Sequence, residues 1–249
     1  GGGVDRFFNG NIDGVAVWNT ALDGDSIRAI WNNGVPTNLK NNTGAYDEYT
    51  DNLVAYYRCG DGTLDEYPLI GDEVTPTLGS DEAPNNTSAT NSSRTEANAT
   101  GNWNSMSITG SDTYESVSSE PQNGSYHLRV DNNTGAFRGF YDNGLTLTNG
   151  VYKLMYDYKI VSGANLYVQV VDNGGSVVFS DSSNSSDSWS NDNVAYFNST
   201  ESGSSAEVRF MTNDGVGEFY VDNIRLYPVN GNAGFMKNMS ESDIAEDTP

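Results

Sequence analysis

The chain has 249 residues, 36% apolar and 11% aromatic, and its 34 acidic against 12 basic residues give a formal net charge of −22. That charge repels phosphates and anionic bilayers, which excludes nucleic acid binding, and no apolar run is long enough for membrane insertion. With one cysteine there is no intrachain disulfide framework, and any His-dependent catalytic or metal site would have to be built around the single histidine, His127.

The chain opens with GGGVDRFF and no initiator Met, as expected of part of a longer polypeptide. IDGVAVW, Ile12 to Trp18, reads as a strand interrupted by Asp13, with Gly14 marking a bulge or bend. DGDSIRAIWNNGVP follows with the spacing of one short helix. Asp23 caps it, Ile27, Ile30 and Trp31 form the stripe expected to lie on the preceding sheet, and Asn33 and Gly34 stop it before Pro36. NLVAYYRCGDG is a further strand with a Gly-Asp-Gly turn. Alternation places Cys59 on the face of Leu53, Ala55 and Tyr57, as a small buried hydrophobe and not a nucleophile. Thr75 to Thr100, rich in Pro, Asn, Thr, Ser and Ala, reads as a linker.

From Trp103 onward short strands recur. YHLRV points Tyr126, Leu128 and Val130 inward and His127 outward. After FRGFY comes GVYKLMYDYKIV, where Tyr152, Leu154, Tyr156, Tyr158 and Ile160 alternate with Lys153, Met155, Asp157 and Lys159. NLYVQVV, SVVFS, VAYFN, AEVRFM and EFYVDNIRLY follow, separated by Asn, Gly, Ser and Asp clusters. The spacing predicts an all-β protein, an antiparallel two-sheet jelly roll or β-sandwich. The closing GNAGFMKNMSESDIAEDTP is too apolar at Phe235 and Met236 for a free tail and should dock back.

Asp222 lies in the apolar run VDNIRLY, in the place that Asp13 takes in IDGVAVW. A carboxylate among apolar residues is costly without a partner, which could be a cation, solvent or backbone amides at a β-bulge. A sugar cleft would need aromatic rings for stacking and polar groups for hydroxyls. The candidates are Trp103, Trp189 in its polar loop, and Tyr167, with Gln169 and Arg138 as polar partners, whereas Tyr152, Tyr156 and Tyr158 belong to the core. ESDIAE, Glu241 to Glu246, matches a glucanase-like carboxylate spacing. It lacks apolar flanks, and Ser240 with Asp243 reads as a helix cap, so the chain is expected to be non-catalytic.

Two resemblances attach to these motifs. FNGNIDGVAVWNTALDGDSIRAIWNNG resembles the closing strands and helix of a laminin-G-like, concanavalin-A-like sandwich, while LVAYYRCGDG and GFMKNMSESDIAEDTP resemble the opening of another, as in virion and tail-fibre proteins of marine bacteriophages. TEANATGNW, NGSYHLRV, GVYKLMYDYKI and FYVDNIRLY resemble jelly-roll carbohydrate-binding modules, including those attached to xylanases and glucanases. The resemblance implies laminin-G-like elements over 1–78, the end of one sandwich and the start of another. An inserted jelly roll over 79–228 and a tail over 229–249 that returns to the first part complete the division. It also implies a structural Ca2+ bound by Asp222 and Glu96; acceptance of backbone amides by Asp222 stays open beside it. The function implied is a structural or adhesion protein of a virion surface or fibre, extracellular, binding glycans, assembled with other virion subunits and as a homo-oligomer. A purely architectural decoration or spacer, or an accessory region of a secreted polysaccharide-degrading enzyme, are the alternatives.

Overall fold

The computed structural model describes residues 12–41, 44–46, 49–82, 103–122, 126–236 and 240–243. The chain divides into two compact units: Gly1–Thr77 with Asn230–Pro249, and Leu78–Val229. Most of the linker-like stretch, and Glu96 with it, lies outside the described residues.

In the first unit β1 (Val15–Trp18) pairs antiparallel with β2 (Leu53–Tyr57), and helix α1 (Gly24–Trp31) lies between them in sequence. Gly14 has a φ of 63°, the left-handed bend that lets the chain turn into β1. Asp23 caps α1 by accepting from the Ser26 amide at 2.7 Å, and left-handed Asn32 ends it. The helix is rotated away from the expected stripe. Ser26 is fully buried and donates its hydroxyl to the Ala45 carbonyl at 2.9 Å. Ala29 and Ile30 pack beside it on Leu39, Tyr46, Leu53 and Tyr56. Ile27 and Trp31 therefore face out, at 55% and 60% exposure. Small residues at 26 and 29 admit the helix close to its neighbours, and a satisfied serine outweighs the larger apolar pair.

β2 ends at Tyr57, so Cys59 does not continue its alternation. It sits half-buried in a turn at a φ of 55°, and burial together with Asp65 and Asp13 pushes its thiol pKa up, away from reactivity. The Gly-Asp-Gly turn is organised by carboxylates: Asp65 accepts from the Gly60, Gly62 and Gly71 amides, and buried Asp72 accepts from Tyr56, Val74 and Asn232. The closing segment belongs to this unit. Gly234–Phe235 pairs with β3 (Leu69–Ile70), and the Tyr57 hydroxyl donates to the Asn232 carbonyl at 2.6 Å. Asp243 accepts from both the amide and the hydroxyl of Ser240 in an exposed turn.

The second unit is an antiparallel β-sandwich of two five-stranded sheets. Its strands are β4 (Trp103–Met106), β5 (Thr113–Val117), β6 (His127–Asn132), β7 (Gly139–Leu147), β8 (Gly150–Gly163), β9 (Leu166–Val171), β10 (Val177–Asn184), β11 (Ser190–Ser199), β12 (Gly203–Thr212) and β13 (Gly217–Pro228). Sheet one runs β10-β9-β12-β7-β4 and sheet two β11-β8-β13-β6-β5. Period-two alternation decides what each buries: Val168, Val170, Val208 and Phe210 from one sheet meet Leu128, Val130, Leu154, Phe219 and Val221 from the other. The tyrosines of β8 lie in this core as their alternation requires.

Phe140 is the hub of an aromatic cluster, with Trp103, Tyr114 and Phe210 at 5.2, 5.3 and 5.2 Å between ring centroids. Fully buried Trp103 is therefore a core residue and not a ligand platform. Its register partner Asp142 is also fully buried, accepting from Gly144 at 2.9 Å through Oδ1. Among the described residues Asp142 Oδ2, Trp103 Nε1 and Tyr114 Oη have no hydrogen-bond partner, and burial pushes the Asp142 carboxyl up to about 6.

Candidate functional site

Among the described residues the two outer faces of the sandwich differ in what covers them. On sheet two, the segment around Glu120 and Gln122 and the loop carrying Trp189 lie over the strands. His127 is on the outward side of β6 as expected, yet it is fully buried beneath Trp189 and Tyr220, with ring centroids at 5.7 and 4.4 Å. Burial pushes its imidazole down to about 4, and among the described residues neither nitrogen has a hydrogen-bond partner. Trp189 is half-buried in this cover and does not join the other candidate ligand residues. Beside it Arg129 bridges Glu115 and Glu218, both at 2.6 Å, and Lys159 pairs with Glu120 at 3.0 Å.

Asp222 belongs to the same covered face. Asn223 takes a φ of 53° and the β8–β13 register slips between Asp222 and Arg225, a bulge that changes the phase of the strand. Phe219 and Val221 before it and Ile224 and Leu226 after it can then all enter the core. Asp222 is fully buried, with Oδ2 accepting from the Gln122 amide at 2.7 Å and Oδ1 from Asn223 at 2.6 Å. No group of three or more His, Cys, Asp or Glu among the described residues could hold a metal. Two backbone amides, of Gln122 and Asn223, donate to the Asp222 carboxylate, and the partner the resemblance implies, Glu96, is outside the described residues.

The outer face of sheet one is lined instead by a row that crosses all five strands. Register places Asn104, Tyr141, Arg209, Gln169 and Ser180 side by side, and directly opposed residues share a face. Four interstrand steps make the row about 19 Å long. Tyr167, two residues from Gln169 on β9, joins the face, and Phe137, 45% exposed, meets its ring edge-on at 6.0 Å.

A hydrogen-bond relay fixes the polar groups. Arg209 is held by Glu207 at 2.6 and 2.7 Å and donates through Nη1 to Gln169 Oε1 at 2.8 Å. Guanidinium only donates, so this contact sets the orientation of the amide, and Gln169 Nε2 donates on to Tyr167 Oη at 3.2 Å. The phenol accepts that bond and keeps its own O–H to give outward. The site thus combines half-exposed rings with oriented donors and acceptors, and its one cation is already neutralised. Such a surface suits an uncharged polyhydroxylated ligand.

Tyr167 and Gln169 are thus brought together, while Trp103 and Trp189 are elsewhere. Arg138 is also removed from the row: its backbone bonds to Thr212, and its guanidinium lies 4.0 Å from buried Asp112, which organises the neighbouring turn. Sequence reasoning missed Tyr141, Arg209 and Asn104. The outward phase of RGFYDNG and AEVRFM could have found Tyr141 and Arg209, but only register across strands remote in sequence shows that they join Gln169.

No protein-family model matches the sequence, and no curated protein matches it. Among solved structures the chain is similar to the CBM22-1 xylan-binding domain of Paenibacillus barcinonensis Xyn10C, at 21% identity and a TM-score of 0.41, over 53% of this chain and 88% of that one. It is similar to the C-terminal family 22 carbohydrate-binding module of Clostridium thermocellum Xyn10B at 17% identity and a TM-score of 0.40, over 59% and 98%. The enzymatically active domain of bacteriophage CBA120 tailspike protein 4 is similar at 15% identity and a TM-score of 0.41, over 50% of this chain and 19% of that one.

Proposed function

We propose that this chain is a non-catalytic adhesion protein that holds a neutral glycan along the open face of sheet one, and that it works on a virion surface or fibre. The observation that supports the binding role is the row Asn104, Tyr141, Arg209 and Gln169 with Tyr167 beside it, where rings and oriented polar groups share one accessible surface. The net charge of −22 narrows the ligand class, since anionic polysaccharides would be repelled.

The test is a glycan array read with the whole chain and with Tyr167→Ala and Gln169→Ala. Neutral oligosaccharides should bind the parent chain and lose about ten-fold or more in affinity on truncation of Tyr167. Binding of no neutral glycan while the chain is folded would overturn the proposal and favour a purely architectural decoration or spacer. The virion setting rests on the laminin-G-like sequence resemblance, and an accessory region of a secreted polysaccharide-degrading enzyme would use the same face. Capsid and tail genes, or glycosidase genes, alongside the coding sequence decide between these settings.

A further inference from the structure

The first unit leaves its largest helical apolar side chain in solvent. Trp31 is 60% exposed at the end of α1, although the same helix buries Ser26 fully. A tryptophan so exposed forgoes most of the stabilisation its burial would contribute, and ligand pockets are lined by aromatic side chains with a few placed polar groups. Trp31 edges a concavity of about 570 Å3, which Asp13, Asn38, Tyr56, Arg58 and Asp61 also line. That size falls within the range of small-ligand sites.

The lining has a defined chemistry. Tyr56 is held in the core and donates its hydroxyl to the Thr37 carbonyl at 3.3 Å, which makes it a fixed boundary of the cavity. Asn38 accepts from the Lys40 amide through Oδ1 at 3.0 Å, leaving its NH2 group to donate. Arg58 lies 3.7 Å from Asp61, and Asp13 adds a carboxylate from the approach to β1. Two carboxylates and one guanidinium leave the cavity net negative, so an anion is disfavoured. A quaternary ammonium would need a cage of several exposed rings, and Trp31 supplies one. Paired acceptors and donors around a single flat ring match the hydroxyls and the apolar face of a sugar.

We propose that this cavity is a second saccharide site, taking one or two terminal rings of a neutral glycan, with Trp31 as the stacking surface and Asp13, Asn38 and Arg58 as hydroxyl partners. It shares no residue with the face of sheet one and does not depend on that face binding anything.

The test follows the four tryptophan indole N–H signals of the isotopically labelled full chain. Glucose, galactose, mannose, xylose and N-acetylglucosamine, their methyl glycosides and their disaccharides are titrated in, with choline as a cationic control. A saturable shift of the Trp31 signal with at least one sugar is expected, unchanged in Tyr167→Ala. Calorimetry should show affinity about ten-fold or more weaker in Trp31→Ala and Asp13→Asn, with Trp31→Phe retaining part of it. The exposure of Trp31 predicts that these variants melt as the parent does; were Trp31→Ala to unfold, Trp31→Phe and Asp13→Asn carry the test. No shift of the Trp31 signal with any sugar, undiminished affinity in these variants, or a shift with choline as large as with sugar would overturn the proposal.

Discussion

Arg209 shows how a residue can matter to a ligand it need not touch. Its guanidinium fixes the Gln169 amide, and that amide in turn engages the Tyr167 hydroxyl. Arg209→Ala should weaken glycan binding about three- to ten-fold, and Arg209→Lys should recover little, because a single ammonium does not reproduce the forked contacts that reach Glu207 and Gln169 together. Equilibrium titration against the best array ligand checks both.

Asp142 makes an opposite kind of statement, about stability. Its folded-state pKa, pushed up to about 6, lies above its ordinary value of 3.8, so its contribution is fully present below about pH 4 and is lost as pH rises through 6. Asp142→Asn should therefore raise the melting midpoint at pH 7–8, by the equivalent of roughly 1–3 kcal/mol, and the gain should vanish near pH 4. Asp222 should behave differently. Asp222→Asn should lower the midpoint by weakening the bonds accepted from the Gln122 and Asn223 amides, and melting the parent chain with and without a calcium chelator tests the implied ion, an unchanged midpoint removing Asp222 from that role.

Among the elements, the cover on sheet two yields a clean experiment because His127 is the single histidine. In the folded chain its imidazole is depressed to about 4 by burial under Trp189 and Tyr220. A depressed histidine favours the fold above about 6.5 and costs stability as pH falls toward 4. Trp189→Ala should open the cover, move the imidazole titration seen by NMR back toward 6.5, and remove part of the acid sensitivity; an unmoved titration would show that other groups seal the site.

The elements also show what a sequence can disclose. Long alternation in GVYKLMYDYKIV fixed both the strand and its buried face, because a period of two leaves one phase that buries every tyrosine. The short helix was legible from Asp23 and Asn33, but its rotation was not. One buried serine bonded to Ala45 decided which side faced in, and that partner lies 19 residues away. Trp103 reads as a platform for a similar reason: only the packing of Phe140 and Phe210 against it reveals a core residue. Tyr167 and Gln169 could be chosen locally, whereas the row that joins them to Arg209, Tyr141 and Asn104 is a product of strand order.

For the whole molecule, charge sets the conditions under which binding is measured. With a net charge of −22 and the one cation of the sheet-one row tied to Glu207, recognition of a neutral glycan should be nearly independent of ionic strength from low salt to about 0.5 M. Anionic polysaccharides should fail to bind even at low salt. A strong fall of neutral-glycan affinity with salt would point to direct charge contacts that this surface does not offer.

The way the chain passes from one unit to the other has a different consequence. In the second unit Leu78 bridges Val229, and the Gly79 amide bonds to the Pro228 carbonyl at 2.8 Å; in the first, the Asn230 amide bonds to the Thr77 carbonyl at 3.0 Å. Both bonds belong to the one Leu78–Val229 bridge, so the outgoing and the returning strand lie side by side where the chain passes between units. Such a seam lets the sandwich be exchanged as a cassette, because any replacement with neighbouring ends satisfies the same backbone pair, and a plain two- to five-residue turn does so as well. A gene that joins Thr77 to Asn230 through such a turn should still yield a host unit that melts cooperatively, and recombination could re-equip this host without redesigning it.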